Sequence, residues 1–143
     1  MPGLLFGTAG APRSTVNESA VGGIERIAEL GLGCMEVEFV RGVRMGEVGA
    51  RLVAEAAARE GVRLSAHAPY FINLNSHEPE KIKASQGRIL QAARIARLCH
   101  AESVVFHPAF YLGDPTGEVY RTTRKYLEEV LSQLKQENNQ VRL

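Results

Sequence analysis

The chain predicts an α/β protein whose parallel sheet is assembled from successive strand–helix units, and three observations carry that expectation. Short apolar runs alternate with stretches of 3.6-residue periodicity, in the order βαβαβαβα with a trailing β. Strand starts recur at a spacing of roughly thirty to forty residues, as right-handed βαβ units require. No linker or low-complexity stretch divides the 143 residues, so residues 1–143 are expected to form a single unit.

Leu4 to Thr8 (LLFGT) reads as a short buried strand, closed by the turn-forming run from Ala9 to Pro12. Asn17 is the expected N-cap of the first helix, which sets Val21, Ile24, Ile27, Ala28 and Gly31 on one face and stops in Gly31 to Gly33. Met35 to Val40 (MEVEFV) is the second strand. Its alternation turns Glu36 and Glu38 away from Met35, Val37 and Phe39, so one sheet face is expected to line a polar cavity. The second helix, Met45 to Glu60, carries Val48, Leu52, Val53, Ala56 and Ala57, with Gly61 at the left-handed position beyond its end.

Val62 to His67 is the third strand. Pro79 opens the third helix, whose apolar positions include Ile82, Ile89, Leu90, Ala93, Ala96 and Leu98. The fourth strand runs to His107, and Asp114 or Thr116 caps a fourth helix with a stripe of Val119, Thr123, Leu127, Val130 and Leu134. Val141 to Leu143 begins a fifth strand. Pattern alone admits two architectures, a small doubly wound sheet or the first half of an eight-stranded barrel of about 250 residues.

Composition narrows the class further. With 45% hydrophobic and 23% charged residues, the chain suits a globular domain and excludes disordered and fibrous proteins. No apolar run reaches the roughly 18 residues of a membrane span, and Met1 to Gly10 lacks the basic start of a signal peptide. A cytoplasmic protein without a membrane partner is expected. Cys34 and Cys99 lie in separate apolar segments and are expected to be buried free thiols. The net charge of +1 leaves nucleic-acid binding to be judged from local patches.

Chemistry concentrates at two strand ends. VRLSAHAPY (Val62 to Tyr70) and ESVVFHP (Glu102 to Pro108) both finish in histidine, and adjacent parallel strands share a ligand-binding rim at their C-terminal ends. His67 and His107 are therefore candidate ligands of one metal ion, with zinc, manganese or iron suited to imidazole. Two histidines need a carboxylate beside them, and Glu38 is favoured over Glu36 because it lies closer to its strand's C-terminal end. Either glutamate also has Arg41, Arg44 or Arg63 as an expected ion-pair partner.

His77, in a polar loop, and His100, at a helix end where the dipole favours it, are not site candidates. Tyr70 to Asn75 form a long loop after His67, in which an aromatic ring can stack and Asn73 or Asn75 can bond a phosphate. Arg13, Arg41 and Arg44 fall in loops on the same rim and form a local cationic patch suited to a phosphodiester.

Ser65 to Ser76 (SAHAPYFINLNS) together with Val104 to Tyr111 (VVFHPAFY) resembles the endonuclease IV family of apurinic/apyrimidinic endonucleases. The likeness extends to GTAGAPRS from Gly7 and MEVEFVRGVR from Met35, taking in essentially the whole chain and about the first half of a family member. Wider relatives are sugar isomerases and epimerases on the same barrel.

The resemblance implies a TIM-barrel-type (βα)4 half barrel with a truncated fifth strand. It also implies a zinc-dependent enzyme of base excision repair that hydrolyses the phosphodiester 5′ to an abasic site in double-stranded DNA. His67 and His107 match two metal ligands, Tyr70 a tyrosine at the DNA-binding face, and Arg41 and Arg44 a loop that enters the DNA. The family's remaining ligands come from later strands, so neither a complete catalytic set nor the full three-metal cluster is expected from this chain alone.

Two rival readings stand beside this one. The first is metal-dependent sugar isomerisation or epimerisation on the same barrel. The second is a non-catalytic half barrel, whose two open strand edges and one apolar sheet face drive it to form a homo-oligomer or to pair with a C-terminal half.

Overall fold

Four parallel strands form one sheet in the order β1-β2-β3-β4, and each is followed by a helix. The strands are β1 (Gly7–Ala9), β2 (Cys34–Glu38), β3 (Arg63–His67) and β4 (Val104–Val105), and the helices are α1 (Ala20–Glu29), α2 (Glu47–Glu60), α3 (Pro79–Leu98) and α4 (Thr116–Gln136). The computed structural model describes residues 3–143; Met1 and Pro2, at the head of the stretch read for a leader, lie outside it. Because the strand order never reverses, right-handed crossovers return each helix to the same side, where successive helices pack against one another. A doubly wound sheet would reverse at a switch point, so the progression is that of a half barrel.

The two sheet faces divide as alternation requires. Met35, Val37, Leu64, Ala66 and Val104 are buried under the helices with Ile24 and Ile27. On the opposite face Cys34, Glu36, Ser65, His67 and Ser103 are half-buried, while Glu38 and Arg63 are exposed. The open face is therefore polar, in agreement with the glutamate alternation and against the apolar open face expected of a half barrel. Only Val105, 47% exposed, contributes an apolar patch among these strand positions.

A fifth strand does begin beside β4. Ser103 and Arg142 form a parallel bridge, the Val104 amide donates to the Arg142 carbonyl at 2.7 Å, and the Arg142 amide donates to the Glu102 carbonyl at 3.2 Å. No described helix is long and apolar enough to cross a membrane.

Several boundaries differ from expectation for identifiable reasons. β1 starts at Gly7; at this edge of the sheet Leu4 and Phe6 are 82% and 68% exposed, although the Phe6 carbonyl still accepts from the Gly33 amide at 3.0 Å. Ser19, rather than Asn17, caps α1: its hydroxyl accepts from the Gly22 amide at 3.0 Å, while the Asn17 carbonyl accepts from the Ser19 amide in the preceding turn. Pro115 precedes α4 without a side-chain cap, since Asp114 is bonded to a neighbouring loop and Thr116 is already helical. β4 stops at Val105 rather than His107, and Pro108 has no N–H with which to extend a ladder.

In α2 the buried stripe is Ala50, Val53, Ala54, Ala56 and Ala57, whereas Val48 and Leu52 are exposed. Alanines allow close approach of α2 to the sheet and its neighbours, so small residues take the inner face. Gly61 adopts φ 68, the left-handed cap expected of it. Pro79 opens α3 as expected, with Ile82, Ile89, Leu90, Ala93 and Ala96 buried.

The two cysteines are not alike. Cys99 is buried beside Met45 and its thiol is pushed up to about 11 by desolvation, but Cys34 is only half-buried on the open sheet face. Burial thus holds Cys99 as the neutral, unreactive thiol at pH 8. A disulfide reagent at that pH is expected to label Cys34 in the folded protein and Cys99 only after denaturation. Ser19→Ala is expected to lower unfolding free energy by about 1 kcal/mol in urea titrations, and Asn17→Ala by less than about 0.5 kcal/mol.

Candidate functional site

Strand register brings the site together. Glu38 and His67, the last residues of β2 and β3, are direct neighbours across the ladder, and His67 is in turn the neighbour of Val105 in β4. His107 lies two residues beyond Val105, so alternation returns it to the same face one step nearer the C-terminal rim. The rings of His67 and His107 are 5.5 Å apart between centroids. Tyr70 completes a triangle, 5.5 Å from His67 and 5.9 Å from His107.

A backbone bond holds the imidazole of His67. Its Nδ1 is 2.8 Å from the carbonyl of Ala68, and because a carbonyl only accepts, that nitrogen carries the proton. Nε2 then keeps its lone pair, and a backbone carbonyl is a common orienting partner of ligating histidines. Two imidazoles on one tetrahedral ion, with metal–nitrogen bonds of about 2.0–2.1 Å, have centroids about 5 Å apart. The observed centroid distance of 5.5 Å, with the rings tilted by 45°, is close to that spacing.

A third ligand is not in place. Among the described residues, no group of three or more His, Cys, Asp or Glu side chains is arranged to hold an ion. Glu38 leans toward the β1–α1 turn: a Cβ built on Gly10, whose φ is +73, would lie 2.9 Å from Glu38 Oε2. Neither Glu36 nor Glu38 forms an ion pair among the described residues, because Arg63 instead grips Glu102 at 2.5 Å.

Arg13, Arg41 and Arg44 are exposed, and among the described residues none of the three forms an ion pair. Arg41 and Arg44 share with Glu38 an open hollow of about 290 Å³ beside the strand ends. The rim therefore carries guanidinium groups free to meet an anion.

The loop after His67 divides into exposed and anchored parts. Tyr70 and Phe71 are 53% and 67% exposed, whereas Ile72 and Leu74 are fully buried. Asn73 Oδ1 accepts from the amides of Asn75 and Phe110, at 3.0 and 3.1 Å, so half of this side chain ties the loop to its neighbour. Sequence reasoning missed the cluster that Asn75, His77 and Asp114 form. Asn75 donates through Nδ2 to the carbonyls of Phe110 and Tyr111 and to Asp114, and His77 Nε2 lies 2.8 Å from the same Asp114 oxygen. Buried, with its Nδ2 donors already engaged, Asn75 is not placed to bond a phosphate. Asp114 reads equally well as a helix cap, and the polar density of the run from Asn73 to His77 was the signal available for its partners.

Parallel strands in unbroken order, with helices on one face and titratable side chains at the C-terminal strand ends, define an α/β-barrel protein. The chain belongs to the xylose isomerase-like TIM barrel family, whose sequence model matches residues 24–143. An uncharacterized protein of Methanocaldococcus jannaschii is 38% identical over 140 residues, covering 98% of this chain and 50% of that protein.

Solved structures agree on the fold. A D-tagatose 3-epimerase-like protein is similar with a TM-score of 0.71 at 20% identity, covering 95% of this chain and 51% of that one. Endonuclease IV from Thermus thermophilus gives 0.63 at 18% identity, with coverage of 87% and 47%. D-psicose 3-epimerase from Clostridium cellulolyticum gives 0.68 at 12% identity, with coverage of 89% and 48%. The chain spans about half the length of each of these proteins, and barrels of unlike activity share its fold.

Asp114 yields a pH test of the loop contact. His77, and after it Asn75, hold its carboxyl below the ordinary range by hydrogen bonding. A depressed folded pKa means that the contact's stabilisation is present above the unfolded value and lost as pH falls through the folded one. Amide resonances of Phe110 and Leu112 are expected to shift on acidification below about pH 4. The shift should vanish in Asp114→Asn.

Proposed function

We propose that this chain supplies the histidine-bearing half of a metal-dependent phosphodiesterase that acts 5′ to abasic sites in double-stranded DNA. The observation that carries the reading is the His67–His107 pair, 5.5 Å apart between ring centroids and flanked by exposed arginines that form no ion pair among the described residues. His67, through Nε2, and His107 hold the ion, for which zinc, manganese or iron are suited. When bound, such an ion supplies Lewis acidity toward a phosphoryl oxygen and acidifies water at neutral pH.

The chain's own residues then bind and orient. Arg41 and Arg44 draw in the phosphate backbone, with Arg13 on the neighbouring loop. Tyr70, exposed beside both imidazoles, offers a ring for stacking against a sugar or base. Asn73 retains its Nδ2 donor for a phosphate oxygen, and Glu38 supplies a carboxylate to the same rim.

Completion of the barrel brings the remaining ligands. An apolar groove of about 600 Å³ lies between α4, the segment after β4 and the last residue, lined in part by Phe106, Val119, Tyr120, Leu127 and Leu143, and Leu4 and Phe6 are exposed at the β1 edge. Further strand–helix units of a second copy or of a C-terminal half cover these edges. Light scattering at micromolar concentration is expected to show an assembly larger than the monomer; a monomer would exclude the second copy.

The carboxylates of Glu36 and Glu38, free of ion pairs on the open face, favour a second reading: metal-dependent ketose epimerisation with a carboxylate moving the proton. One comparison separates the two. Metal-loaded protein is expected to bind and incise a duplex with a single abasic site and to leave ketoses unchanged; ketose turnover without DNA binding would select the epimerase. Arg41→Ala and Arg44→Ala are each expected to reduce the slope of log affinity against log salt by about 1.

A further inference from the structure

We infer that Asn75 is a positioning residue for His107, acting through the β4–α4 loop to hold that imidazole at metal-sharing distance from His67. The inference rests on the reading of the histidine pair as metal ligands.

The sheet holds one histidine and not the other. β4 pairs with β3 only through Ala66↔Val104 and His67↔Val105. His67 is inside this ladder, but His107 is beyond it, exposed, and followed by a proline that cannot donate. Strand pairing does not fix the second imidazole, which meets the rings of His67 and Tyr70 on one side.

The bonds that do restrain it come from the loop after His67. The Leu74 amide donates to the Pro108 carbonyl at 2.8 Å, and the Phe110 amide donates to Asn73 Oδ1 at 3.1 Å. Asn75 closes the connection: its Nδ2 donates to the carbonyls of Phe110 and Tyr111 at 3.2 and 3.4 Å and to Asp114 Oδ2 at 2.9 Å. Asn75 is 5% exposed, so its amide is paired within the loop contact rather than with bulk solvent. One buried amide thus spans the turn from the segment behind His107 to the start of α4, and it bonds to neither imidazole.

Asn75 therefore acts on the ion only through His107. Its loss removes three bonds across the turn, loosens residues 108–114 and widens the range of positions open to His107, while His67 stays fixed by its ladder and by the Ala68 carbonyl.

The test titrates the metal-free full chain with Zn²⁺ by calorimetry, with Co²⁺ absorption as a second readout and thermal unfolding recorded for every variant. Asn75→Ala is expected to weaken Zn²⁺ binding by about 10- to 100-fold. The same substitution in a His107→Ala background is expected to weaken it no further, a non-additivity that general destabilisation does not produce. Side-chain ¹⁵N spectra should show the His107 resonance broadened and that of His67 unmoved.

Unchanged Zn²⁺ affinity in Asn75→Ala, or an equal loss in both backgrounds, overturns the inference while leaving the metal reading intact. Should Asn75→Ala fail to fold, Asp114→Ala removes the shortest of the three bonds from the loop side; a smaller loss, again absent in the His107→Ala background, is expected, and full affinity overturns the inference. If wild-type protein binds no Zn²⁺, the metal reading falls and this inference with it.

Discussion

The parallel ladder of β2, β3 and β4 is the constraint on which the rest of the molecule depends. Its continuation beyond the strands, with the Phe39 amide donating to the His67 carbonyl at 2.8 Å and the Ala68 amide to the Val105 carbonyl at 2.9 Å, brings three C-terminal ends to one level. A slip of one residue would turn Glu36, Glu38 and His67 toward the helices and Met35 and Val37 toward solvent. The burial of those apolar side chains against Ile24 and Ile27 excludes that slip, so core packing on one face sets the positions of polar groups on the other.

Features governed by local chemistry were legible in the amino-acid sequence. The βα order, the Pro79 start of α3, the Gly61 cap and the alternation of β2 each depend on a few neighbouring residues, and each is where pattern places it. Tertiary competition hid the rest. Two candidate oxygens lay before α1, and the turn at Asn17 decided that Ser19 would cap it. In α2, the larger Val48 and Leu52 lost the inner face to alanines that fit between α1 and α3, which no single-helix count reveals.

The candidate site was legible in the same uneven way. Two histidines at strand ends identify a rim, because strand direction is fixed by topology. How near their rings come depends on strand register and on contacts between loops thirty or more residues apart, such as the bonds from Asn75 to the loop after His107. The glutamates illustrate the opposite limit: Arg63, a candidate partner for them, is instead paired with Glu102 between the starts of β3 and β4, which alternation alone does not disclose.

Polarity of the open sheet face also governs how the barrel can close. A half barrel with an apolar inner face would gain its stability on closure from non-directional burial, and any strand arrangement covering that face would serve. Here Cys34, Glu36, Ser65, His67 and Ser103 line the inner side, and each demands a hydrogen bond, an ion or water once it is enclosed. Closure that left two carboxylates without partners would be costly, so any units that closed such a barrel would have to place donors or cations opposite Glu36 and Glu38. The apolar edges beside β1 and α4 can drive association without selecting a partner; the inner face makes the selection, because only a surface that satisfies its charges can be buried against it.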